Sequence, residues 1–66
     1  MTLGCKILLA MKEKKITQSE LSKRTGLTPS ALSNYVNDKR EPKVSTLIKI
    51  AEGLETDVSE IIKERR

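Results

Sequence analysis

The 66-residue chain has no His, Trp or Phe, a single tyrosine at position 35 and a single cysteine at position 5. Each shortage removes a class of function. With no imidazole and one thiol, a zinc site of ordinary ligands cannot be assembled, and a disulfide within the chain is impossible. Acid/base chemistry would have to rest on Asp, Glu or Lys held in a cleft, and the scattered carboxylates form no convincing pair. No catalytic residue, metal ligand, cofactor or small-molecule substrate is therefore expected. Long apolar runs are missing as well. Ile7 to Met11 is too short to cross a bilayer, and neither a basic region nor an apolar stretch precedes Cys5 as a lipoprotein signal would require. The expectation is an intracellular, cytoplasmic protein without a membrane partner, in which Cys5 is a small, partly buried residue of the first helix. A chain of this length buries only about 60% of its unfolded surface, so residues 1–66 form one domain with one core. There is no repeat, linker or low-complexity stretch.

Charge is abundant, and it is unevenly placed. Residues 1–51 hold ten Lys and Arg against Glu13, Glu20, Asp38 and Glu41, about +6, whereas residues 52–66 hold Lys63, Arg65 and Arg66 against five acids, about −2. A basic body draws a polyanion at long range, and an acidic end is better kept away from it. Taken singly, Lys12, Lys14, Lys23 and Lys49 read as solvating charges.

Apolar spacing predicts an all-α chain of five helices. Leu3, Ile7, Ala10 and Met11 make one stripe of a first helix over Leu3–Lys14, ending near Lys15. Thr17 followed by Glu20 is a capping box that opens a second helix, in which Leu21 is the main apolar residue and Ser22 is small where another backbone can approach. Gly26 stops it, since glycine accepts the left-handed conformation common at helix ends. Thr28 then caps a third helix with Pro29 in its first turn, where a missing N–H is harmless. Val44, Leu47, Ile50, Ala51 and Leu54 mark a fourth helix that Gly53 weakens at its end. Asp57 and Glu60 suggest a capping box for a fifth, with Val58, Ile61 and Ile62 inward.

The third helix carries the informative chemistry. Leu32 and Tyr35 face inward, while Thr28, Ser30, Ser33, Asn34 and Asn37 point elsewhere. A merely solvated face is usually rich in Lys, Glu and Arg. A face of Ser and Asn suits contact with something that offers donors and acceptors of its own, as the major groove of DNA does.

From about Ile7 to Ile62 the sequence resembles the Cro/repressor-type helix-turn-helix family, a compact five-helix, lambda-repressor-like fold. The resemblance is carried by Thr17-Gln18-Ser19-Glu20-Leu21, Gly26-Leu27-Thr28, Ser33-Asn34-Tyr35 and Pro42 with Leu47, Ile50, Ala51 and Leu54. It implies a sequence-specific regulator of transcription, a repressor by default, that binds palindromic double-stranded DNA as a homodimer with the third helix in the major groove. Base reading then falls to Thr28, Pro29, Ser30, Ser33 and Asn34, and phosphate contacts to Gln18, Asn37, Lys39, Arg40 and Lys43. With no Arg or Lys between Pro29 and Asn37, direct specificity should be modest and lean toward A·T pairs. The dimer surface is either the Leu54, Glu55, Thr56 and 58–62 region or the Leu8/Leu9 face. The alternative from another class is a protein-interaction module, such as an antitoxin-like partner, on the same fold.

Departures from the family pattern give further expectations. Met11 and Val36 stand where many relatives have an Arg and Glu pair, so the two should meet as an apolar contact, which avoids two desolvation penalties. Asp38 stands where relatives often have Gly and should take a positive φ. Lys43 replaces a capping Ser or Thr, exchanging the cap for a positive charge near phosphate.

Overall fold

A computed structural model describes residues 2–62, with side chains through residue 61. Among these residues there are five helices and no strand: α1 (Leu3–Lys14), α2 (Gln18–Thr25), α3 (Pro29–Val36), α4 (Val44–Gly53) and α5 (Val58–Ile62). Three of them begin in the same way. Thr2, Thr17 and Thr28 are extended N-caps whose hydroxyls accept the N–H three residues on, from Cys5 (3.2 Å), Glu20 (3.1 Å) and Ala31 (3.1 Å). Each bond satisfies a donor that the helix leaves open. At α4 the N-cap is Lys43, which makes no side-chain cap, as expected. The ends are equally local: α1 closes on Lys15 at φ 57° and α2 on Gly26 at φ 79°.

Two caps differ from the expected form. Only half of the box at Thr17 forms, because the Glu20 carboxylate turns along the helix and accepts from Arg24 Nε at 3.1 Å. At α5 the Glu60 N–H is taken by the Asp57 carbonyl at 3.0 Å instead of by its carboxylate.

The core is built from the predicted stripes: Ile7, Met11, Leu21, Leu32, Val36, Leu47, Ile50, Ala51, Leu54 and Ile61. Helix α1 packs on α3 and α5, α2 packs on α3 and α4, and α4 packs on α5. Met11 and Val36 are 6% and 5% exposed within this one cluster, so the position of the family's ion pair is apolar here. Val58 packs at its edge; the inward placement expected of Ile62 lies outside the described side chains. Val44, placed on the stripe of α4 by its spacing, is instead 74% exposed, so the first turn of that helix projects beyond the packed layer. Leu54, considered for a dimer surface, is fully buried in the core.

Cys5 is exposed, not partly buried, because its neighbour Gly4 takes the place against α3. A Cβ on Gly4 would stand 2.5 Å from the Val36 carbonyl oxygen, so only glycine lets the start of α1 lie on the end of α3. The Gly4 N–H also donates to Asp38 Oδ1 at 3.0 Å, and Asp38 adopts φ 59° to receive it. The positive φ expected at this residue is thus tied to a contact across 34 positions of sequence.

Candidate nucleic-acid interface

What fixes the outward face of α3 is its buried one. Leu32 is fully buried and Val36 nearly so, and burying a side chain of this size contributes about 1.5–3 kcal/mol. The helix cannot roll without losing that contribution. At about 100° per residue, Ser30 and Asn34 then lie roughly 160° from Leu32 on either side, with Asn37 about 140° and Ser33 about 100° away. Thr28, Pro29, Ser30 and Asn37 are exposed, while Ser33 and Asn34 are half-buried. Eight helical residues make a rod about 12 Å long, comparable with a major groove about 12 Å wide.

The turn between α2 and α3 is held by side chains as well as by Gly26. Ser22 Oγ donates to the Leu27 carbonyl at 2.5 Å, and Thr25 Oγ1 donates to the Leu21 carbonyl at 2.8 Å while accepting from Leu27 N–H at 3.2 Å. Ser22 was expected only to give room; its hydroxyl is a strut. Together these bonds set the angle between the two helices.

The cationic loop is hung from the end of α3. The Asn34 carbonyl accepts from the N–H groups of Lys39 (2.9 Å) and Arg40 (3.3 Å), and the Tyr35 carbonyl accepts from Asp38 N–H (3.2 Å). Lys39, Arg40 and Lys43 are exposed, and Lys43 stands at the start of α4. Gln18 is the first residue of α2, beside N–H groups that the helix leaves free for an outside acceptor. Arg24, by contrast, points away from this work. Its Nη1 donates to the Gly53 carbonyl (3.1 Å) and to Glu55 Oε2 (3.2 Å), fastening α2 to the end of α4.

Sequence reasoning missed two interactions of the assembly. One is the Gly4 and Asp38 latch, which holds the loop against α1 and has no local signature. The other is the tie from Asn37, named above as a phosphate contact, to Ser33: its Nδ2 donates to the Ser33 carbonyl (2.8 Å) and Ser33 Oγ (3.3 Å). Their four-residue spacing on one helix face is the signal that could have found it.

No helix among the described residues is long and apolar enough to cross a membrane. The helix-turn-helix family matches residues 7–61. The chain is also 38% identical over 64 residues to the immunity repressor protein of Bacillus phage phi105, an alignment that covers 97% of this chain and 44% of that protein. It thus spans less than half the length of that relative. None of the solved structures matches at a significant level. The family match takes in the caps at Thr17 and Thr28, the glycine turn and the core positions of α4 described above, and the chain belongs to the Cro/repressor-type helix-turn-helix family.

Proposed function

We propose that the chain is a sequence-specific double-stranded DNA-binding repressor of transcription. The observation that carries the reading is the uncharged polar face of α3, locked outward by Leu32 and Val36 and flanked by a loop of exposed Lys39, Arg40 and Lys43. The phage immunity repressor relative supports it. In this reading α3 enters the major groove, where Asn34 can both donate to and accept from adenine, Ser30 and Ser33 meet single base edges, and Thr28 and Pro29 start the helix at the groove floor. Pro29 presses on a thymine methyl. Gln18, the α2 N–H groups, Lys39, Arg40 and Lys43 hold the phosphates on either side and fix register. Occupying a promoter is enough to repress it.

The active species is a homodimer on a palindromic operator, with half-sites about 34 Å apart. Two surfaces compete for the contact. Leu8 and Leu9 are 42% and 44% exposed on α1, whereas the turn before α5 contributes the polar Glu55 and Thr56, since Leu54 and Ile61 belong to the core.

Titration of a selected duplex and a random duplex at two salt concentrations tests the proposal. A repressor binds the selected duplex more tightly, with a logarithmic affinity that falls by about 0.9 per phosphate neutralised for each unit of log salt. Negligible affinity for both duplexes at both concentrations would overturn it in favour of a protein-interaction module.

A further inference from the structure

Asn37 sits among the candidate phosphate contacts, yet its amide is engaged inside α3. The Ser33 carbonyl oxygen, 2.8 Å away, can only accept, so the atom facing it must be the NH2 nitrogen and not the amide oxygen. That nitrogen has a second hydrogen, and Ser33 Oγ lies 3.3 Å from it. The Ser33 hydroxyl is therefore an acceptor toward Asn37. Its own proton cannot return to a nitrogen that is already donating, and it finds no acceptor among the described residues.

We propose that Asn37 is a positioning residue that biases the polarity of Ser33, taking one of its lone pairs and turning its proton outward, so that a base presenting a major-groove acceptor is favoured. The inference rests on the DNA-reading role of α3 and adds a rule to it. A free serine reads either kind of edge, because its hydroxyl rotates to suit. With one of its two lone pairs held by Asn37 and the proton turned outward, Ser33 favours guanine N7 or O6, adenine N7 or thymine O4. Cytosine, whose major-groove edge offers only the N4 donor, is disfavoured, because it could use only the remaining lone pair and would leave the outward proton without an acceptor on that base. Asn37 itself is left with Oδ1 outward, an acceptor that phosphate oxygens repel, so it serves the interface through Ser33 and not by gripping the backbone.

The test begins with selection of bound duplexes from a random pool by the wild-type chain, the Ser33→Ala variant and the Asn37→Ala variant. The position at which Ser33→Ala relaxes the preference identifies the base read by Ser33. Wild type should disfavour cytosine there, and replacing a preferred purine by its 7-deaza analogue should weaken binding by about two- to tenfold. Asn37→Ala should reduce discrimination against cytosine at that position by a similar factor, leave the other positions unchanged, and have no further effect on selectivity in the Ser33→Ala background. A role confined to ending the helix would instead lower affinity evenly at all positions. That even loss would overturn the proposal, as would a wild-type preference for cytosine at the base read by Ser33. If wild type selects no site at all, the repressor reading fails first, and this rule fails with it. The deaza measurement is made on the wild-type chain at the position that Ser33→Ala identifies, so it tests the acceptor at that base even if Asn37→Ala does not fold.

Discussion

Replacing Gly4 by alanine sets helix propensity against packing, and the two predict opposite signs. Alanine in a helix is favoured over glycine by about 0.5–1 kcal/mol, partly through the unfolded chain. The structure opposes this. The added Cβ would lie 2.5 Å from the Val36 carbonyl oxygen, 2.8 Å from its carbon and 2.9 Å from Asp38 Oδ1, against an unstrained separation of about 3.5 Å or more. Two of the three atoms are backbone at the end of α3, so relief requires moving one helix by roughly 1 Å and not a side-chain turn. Overpacking of this kind costs about 1–3 kcal/mol, and loss of the part-buried Gly4 to Asp38 bond adds about 1.5 kcal/mol. The net is a destabilisation of about 2–3 kcal/mol, which for a domain of this size lowers Tm by roughly 10–20 °C. Urea and thermal unfolding followed by circular dichroism measure it directly. Gly26→Ala is the comparison: its φ is 79° and a Cβ there meets nothing within 4 Å, so only left-handed strain of about 1 kcal/mol is expected. A Gly4→Ala chain as stable as wild type, or more stable, would refute the close approach of α1 to α3.

Three further outcomes follow from the same contacts. Thr17→Ala removes the cap on Glu20 N–H and should cost about 1 kcal/mol of stability, while Glu20→Gln should cost less, because its carboxylate pairs with Arg24 at an exposed position and not with the cap; equal losses in urea titrations would restore the full box. Met11→Arg and Val36→Glu should each destabilise by about 3 kcal/mol or more, since each buries an unpaired charge, yet the double variant should recover part of the loss; strictly additive losses would separate the two side chains. Changing Lys39 and Arg40 together to Gln should weaken selected and random duplexes alike and make the salt slope shallower by about 1.8, and a loss confined to the selected duplex would move these residues from phosphate to base.

Much of this fold was legible because its signals are local. Thr17, Gly26, Thr28 and Pro29 act within one turn of themselves, and the stripes of Ile7/Met11 and Leu47/Ile50/Ala51/Leu54 require only helical spacing. The latch of Gly4 on Asp38 was not legible, since it depends on which helix end meets which; only the positive φ at Asp38 left a trace. Val44 was assigned to the interior stripe by spacing and Cys5 was read as partly buried from its residue type, when Cys5 lies off the buried stripe of α1 and Val44 lies past the end of the packed layer. Arg24 was given no role by the sequence, and only the packing of α2 on α4 brings the Gly53 carbonyl within its reach. In the candidate interface, Ser33, Asn34 and Asn37 were singled out by their chemistry, but were treated as independent side chains. The bond from Asn37 to Ser33 turns two of them into a unit.

The central claim is that the outward face of α3 reads base edges. Fluorescence anisotropy of the Asn34→Ala variant on the selected duplex and on random duplex tests it most directly. The account predicts an affinity loss of about 1–3 kcal/mol on the selected duplex and little change on the random one, because the lost bonds belong to one base and not to the phosphates. Equal losses on both duplexes would contradict it.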